Sequence, residues 1–117
     1  MIEYRTQALD RPALLEELSF YCQVLAESGT ETTSVMFGWD SNLDMNDMWQ
    51  DMPVPLKDVV EFVLAAERAG TVTIGKSDIF VSGAGLKFTL CHESDVHIEA
   101  TAAVAQEFFD RWKDKAY

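Results

Sequence analysis

The sequence predicts an α+β domain in which a mostly antiparallel sheet is packed with about three helices. Three observations predict it. Three segments repeat apolar residues at helical spacing behind residues suited to a helix start. Residues 71–100 break into short β-branched and apolar runs separated by Gly-, Ser- and Asp-containing turns, the pattern of a meander of about four strands, to which one or two earlier strands add. No internal repeat or linker interrupts the 117 residues, so residues 1–117 read as one domain. At 48% hydrophobic content the chain can fill a core of its own.

Asp10 can cap the free amides of a first helix, Pro12 fits its first turn, and Leu14, Leu18, Tyr21 and Leu25 share a face. This predicts a helix over residues 11–27, stopped by Ser28-Gly29, where glycine accepts the left-handed conformation. In residues 33–39, Val35, Phe37 and Trp39 alternate with Ser34, Met36 and Gly38, which predicts a strand. Residues 40–53 are Asp, Asn and Met with Trp49, a composition that favours turns and predicts a loop. Pro55 starts a second helix, Leu56, Val59, Val60, Val63 and Leu64 give it a broad apolar stripe that should be largely buried, and Gly70 stops it.

The meander strands are expected over 71–74, 79–82, 86–92 and 96–100. For the last hairpin, a three-residue loop pairs Leu90 with Ile98 and Phe88 with Ala100 on one face, and Cys91 with His97 and Thr89 with Glu99 on the other, sending His92 to the opposite face from Cys91 and His97. Thr101 can cap a last helix on which Val104, Phe108 and Trp112 share a face, ending near Lys113 and Lys115, which suit the negative helix end.

Charge narrows the function. With 20 acidic and 9 basic residues the net charge is −11, which opposes direct binding to nucleic acid or to anionic membranes and favours a basic protein partner. No apolar run approaches the roughly 18 residues of a spanning helix, no signal-peptide pattern follows Met1, and Cys22 and Cys91 have no CxxC pairing, so a cytoplasmic location with free thiols is expected. No nucleophile elbow, phosphate-binding loop or dinucleotide fingerprint appears, and a non-enzymatic protein without a cofactor is the expectation.

Two segments carry candidate sites. Between Pro12 and Leu56 lie eight carboxylates, Glu16, Glu17, Glu27, Glu31, Asp40, Asp44, Asp47 and Asp51, and no Lys or Arg. Trp39, Met48 and Trp49 stand among them, so Glu31, Trp39, Asp40, Asp44, Met48, Asp47, Trp49 and Asp51 form a candidate partner-binding surface. Alternatively, Trp49 and the methionines turn inward to close the core. Oxygen ligands spaced from Asp40 to Asp51 imitate a calcium loop, but Met45 stands where the sharp turn needs glycine. The second segment, from Cys91 to Glu99, holds both histidines. Cys91, His92 and His97 could ligate zinc, which would make the chain a small metal- or ligand-binding protein. The competing expectation is a metal-free hairpin, since zinc sites need more ligands at recognised spacings.

The run Leu86-Lys87-Phe88-Thr89-Leu90-Cys91-His92-Glu93-Ser94-Asp95-Val96-His97-Ile98-Glu99, with the following Phe108-Phe109 to Trp112 helix, resembles small acidic bacterial immunity-type proteins of polymorphic toxin systems. The resemblance covers the last forty or so residues and implies a cytosolic, non-enzymatic inhibitor that binds a basic toxin directly. A homodimer or structural adaptor is a third possibility.

Overall fold

The computed structural model describes residues 2–114. Six strands form one antiparallel sheet: β1 (Ile2–Arg5), β2 (Thr32–Phe37), β3 (Met52–Pro55), β4 (Ile79–Gly83), β5 (Leu86–Leu90) and β6 (Val96–Ala100), in the order β1-β6-β5-β4-β2-β3. Helices α1 (Arg11–Glu27), α2 (Val59–Arg68) and α3 (Ala102–Arg111) complete an α+β fold. Among the described residues no helix is long and apolar enough to cross a membrane.

Helix α1 forms over the residues its punctuation predicts. Asp10 accepts a hydrogen bond from the Ala13 N–H at 3.0 Å, Pro12 sits in the first turn, and Gly29 takes a left-handed φ of 84° after the last turn. A short 3-10 turn over Leu56–Asp58 leads into α2, which is only half buried: Val59 and Val63 reach the core while Val60, Phe62 and Leu64 stay at its margin. Thr101 begins α3 without a side-chain cap, and Ala105, Phe108 and Trp112 form its buried face with Val104 beside them. Lys115 lies outside the described residues.

All three helices cover one face of the sheet. Tyr4 on β1 meets Phe109 of α3 at 5.4 Å between ring centroids, Phe88 on β5 meets Tyr21 of α1 at 4.8 Å, and Phe37 on β2 meets Phe62 of α2 at 6.0 Å. Tyr21 donates its buried hydroxyl to Val81 and Leu86 carbonyls on adjacent strands, so the helix is fixed to the sheet by a polar contact as well as by apolar area.

Several expectations about the strands need correction. β2 ends at Phe37, short of residue 39. Residues 71–74 do not form a strand: the Thr73 N–H is taken by Ser77 Oγ and the Ile74 N–H by Glu67, so β-branched propensity is overridden by local capping while Val72 and Ile74 bury their side chains. β5 stops at Leu90, short of residue 92. Residues 52–55, read as loop and helix start, instead pair with β2 as β3; Pro53 and Pro55 are tolerated because this strand is at the sheet edge. In the β5–β6 hairpin, Leu90 pairs with Val96, Phe88 with Ile98, Thr89 with His97 and Lys87 with Glu99. The apolar face is the expected one, but the register differs by two residues. Ser94 supplies the reason: its φ of 65° and its N–H bond to the Cys91 carbonyl move the three-residue turn back by one position, to residues 92–94, closed by the Cys91 N–H on the Asp95 carbonyl at 2.9 Å.

Glu67 ties the 71–74 segment to the helices, accepting from Arg11 at 2.5 Å and from the Ile74 N–H at 3.1 Å. The Arg11 hydrogen bond, aided by the Ile74 amide and the Arg11 charge, holds the Glu67 carboxyl below its ordinary value against the opposing effect of burial. A carboxyl lowered in the folded state stabilises the fold above its unfolded pKa, and that contribution disappears as pH falls through the folded one. Glu67→Gln should therefore flatten the loss of stability between about pH 5 and about pH 3. Urea midpoints measured across that range check it; an unchanged slope would show that Glu67 contributes nothing to it.

Candidate functional site

The uncovered face of the sheet forms the floor of a groove of about 740 Å³, and Asp51, from a loop of acidic and aromatic residues, lines it. Because side chains alternate along a strand, register alone gives the rows on this face. Arg5, His97, Thr89, Phe80 and Met36 are neighbours across five strands, and Glu3, Glu99, Lys87, Ser82 and Ser34 form the next row.

The loop spans residues 38–51, and its base is bonded into the fold. Gly38 N–H donates to the Asp78 carbonyl at 2.9 Å and Asp78 N–H returns a bond to the Trp39 carbonyl at 2.8 Å. Asn42 N–H reaches the Thr71 carbonyl, and the buried Ser77 hydroxyl donates to the Asp40 carbonyl, both at 2.7 Å. Trp49 is held with φ at 64°, a left-handed conformation that costs a bulky residue about 1–3 kcal/mol. Its N–H bonds the Phe37 carbonyl at 2.8 Å, and its ring lies 5.7 Å from that of Phe80. Gly38 makes the seat: a Cβ there would fall 2.4 Å from Trp49 Cζ3.

Trp49 nevertheless leaves 46% of its surface exposed, Trp39 leaves 63% and Met45 leaves 86%. Three of the four large exposed apolar side chains among the described residues thus sit in one loop, the fourth being Phe109. Asp40, Asp44 and Asp47 are exposed between them, and no Lys or Arg among the described residues pairs with any of the three. Single exposed apolar residues are ordinary, but this concentration is not.

The other proposed surface residues distribute differently. Met48 is half buried. Asp51 turns back to accept from Ser34 Oγ at 2.9 Å and borders the groove. Glu31 is exposed but precedes β2, whose six residues put it about 20 Å of strand away from the loop. Glu17 is not a surface acid at all; it is fully buried against Arg111 and Trp112.

At the same end of the strands as the base of the loop, where Phe37, Ile79, Leu90 and Val96 lie in register, the β5–β6 turn brings Cys91, Asp95 and His97 together, with one ligating atom from each lying within 4.8 Å of the others. His97 Nε2 is 2.8 Å from Asp95 Oδ2, and its Nδ1 faces Glu3 Oε1 at 3.7 Å. Burial, followed by the negative charges of Asp95 and Asp78, contact with the Asp95 carboxyl and the charge of Glu93, pushes the Cys91 thiol up to about 12. Asp95 Oδ2 is taken by His97, while the buried Asp95 Oδ1 makes no hydrogen bond among the described residues.

His92 is not the third member of this group. Nor does it point to the helix-covered face: it curls within the turn so that its N–H and its Nδ1 meet Asp78 Oδ1 at 2.8 and 2.9 Å, and it borders the groove. The hydrogen bond and charge of Asp78 raise the pKa of His92 from its ordinary value. Asp95, read from the sequence only as a turn residue, takes the place His92 was expected to fill. Its signal was present, since Asp95 and His97 are two apart and share a strand face. Both cysteines are free, and burial raises the Cys22 thiol to about 11. Comparison with protein families, with curated proteins and with solved structures finds no match to this chain.

Proposed function

We propose that the protein is a non-enzymatic binding protein that engages a basic protein partner through residues 38–51, acting as an immunity-type inhibitor of a toxin domain. The observation that supports this reading is the clustering of Trp39, Met45 and Trp49, all exposed, between Asp40, Asp44 and Asp47, none of which pairs with a Lys or Arg among the described residues. Exposed aromatic and thioether groups supply the contact area that a partner desolvates, and the unpaired carboxylates supply long-range attraction and orientation. The backbone bonds to Asp78, Thr71 and Phe37 restrain the loop before binding, which reduces the ordering cost on association.

Parallel affinity capture from the native host tests this. Wild-type protein should enrich a partner of high pI, and a folded Asp44→Asn, Asp47→Asn, Asp51→Asn variant should enrich it poorly. Equal capture by both proteins, or a partner as acidic as this chain, would refute the reading.

A further inference from the structure

We propose that Cys91, Asp95 and His97 form a zinc-binding site at the floor of the groove, with a fourth coordination position open to it. The proposal does not rest on the acidic loop. The three side chains offer thiolate sulfur, carboxylate oxygen and imidazole nitrogen, each a normal zinc ligand. Bond lengths of about 2.0–2.3 Å place ligand atoms of a tetrahedral site roughly 3.3–3.8 Å apart. Atoms already within 4.8 Å of one another need only small side-chain adjustments to reach that spacing, with His97 Nε2 and Asp95 Oδ2, 2.8 Å apart, separating slightly if both ligate.

The unpartnered oxygen points to a missing ligand. Asp95 is 9% exposed and its Oδ1 makes no hydrogen bond, which leaves a buried carboxylate oxygen uncompensated at this spot. A cation would satisfy it. Metal-bound histidines characteristically direct their second ring nitrogen at a carboxylate, and His97 presents Nδ1 to Glu3 while Nε2 faces Asp95. The backbone beneath is fixed, because Cys91 N–H bonds the Asp95 carbonyl and Ser94 Oγ bonds the Gly75 carbonyl at 2.9 Å. The expected register left Cys91 and His97 without a third ligand, because it sent His92 to the opposite face. In the observed turn Asp95 faces Cys91 across the strand pair and supplies the absent third ligand.

Mixed Cys, Asp and His donors suit a borderline-soft divalent ion better than calcium or magnesium, which prefer oxygen. Three protein ligands leave one tetrahedral position, which water fills in zinc sites of this kind.

The test is titration of the full chain, freed of metal by chelator and kept reduced, with zinc against a competing indicator, and with cobalt(II) as a spectroscopic probe. One equivalent of zinc should bind and raise the melting temperature, and cobalt should show a thiolate charge-transfer band. Cys91→Ser should abolish that band. Cys91→Ser, Asp95→Asn and His97→Ala should each weaken zinc at least about tenfold, and Glu3→Gln should weaken it by a similar or smaller factor. His92→Ala should leave binding unchanged. Circular dichroism on each variant separates loss of ligand from loss of fold, and the near-isosteric Asp95→Asn is decisive where the others unfold. Failure of the wild type to saturate near one equivalent, undiminished binding by folded Asp95→Asn or Cys91→Ser, or equal weakening by His92→Ala would each overturn the site.

Discussion

Glu17→Ala should destabilise the domain by about 3 kcal/mol, the lower end of the range for removing one partner of a buried charge pair. Glu17 is fully buried on α1 and accepts from Arg111 Nε at 2.9 Å and from Trp112 Nε1 at 2.8 Å. Its removal leaves a buried indole N–H without an acceptor and a guanidinium without its counter-charge at the α1–α3 junction. Arg111 keeps 32% of its side chain exposed and stacks on Phe20 at 4.3 Å, so water and the ring recover part of the loss. Urea unfolding of Glu17→Ala beside the exposed neighbour Glu16→Ala measures the effect. A change below about 1 kcal/mol, within reach of an ordinary surface substitution, would contradict this role.

Trp49→Ala should weaken the partner complex by about 2 kcal/mol or more, close to thirtyfold in affinity, while the free protein keeps its fold. The indole rests on Gly38 and Phe80 yet leaves nearly half its surface for a partner, so truncation removes more from the interface than from the domain. The loss should fall mainly on the dissociation rate. If the isolated variant unfolds instead, Trp49 closes the core and the alternative reading of the loop holds.

Helix α1 was legible because Asp10, Pro12, the apolar repeat and Gly29 agree, and no tertiary contact is needed to choose among alternatives. The faces of β5 and β6 were legible for a similar reason: alternation sets which residues are buried in every register of the same parity. Which of those registers forms depends on a turn with Ser94 at positive φ, a conformation serine does not advertise. That two-residue difference hid the placement of Asp95. β1 and β3 were not located because four-residue edge strands carry little pattern, and β3 contains two prolines. The acidic loop was visible as composition, whereas the exposure of Trp39, Met45 and Trp49, and the burial of Glu17, follow from packing that sequence spacing does not specify.

The central claim, that residues 38–51 attract and hold a basic partner, is tested most directly by the association rate constant measured at rising salt for the wild type and for the Asp44→Asn, Asp47→Asn, Asp51→Asn variant. Exposed charges are screened over about 8 Å at physiological ionic strength. The wild-type rate should therefore fall steeply with salt, and the variant should associate about tenfold more slowly at low salt, with a shallower dependence. A wild-type rate indifferent to salt, together with a variant that associates equally fast, would contradict it.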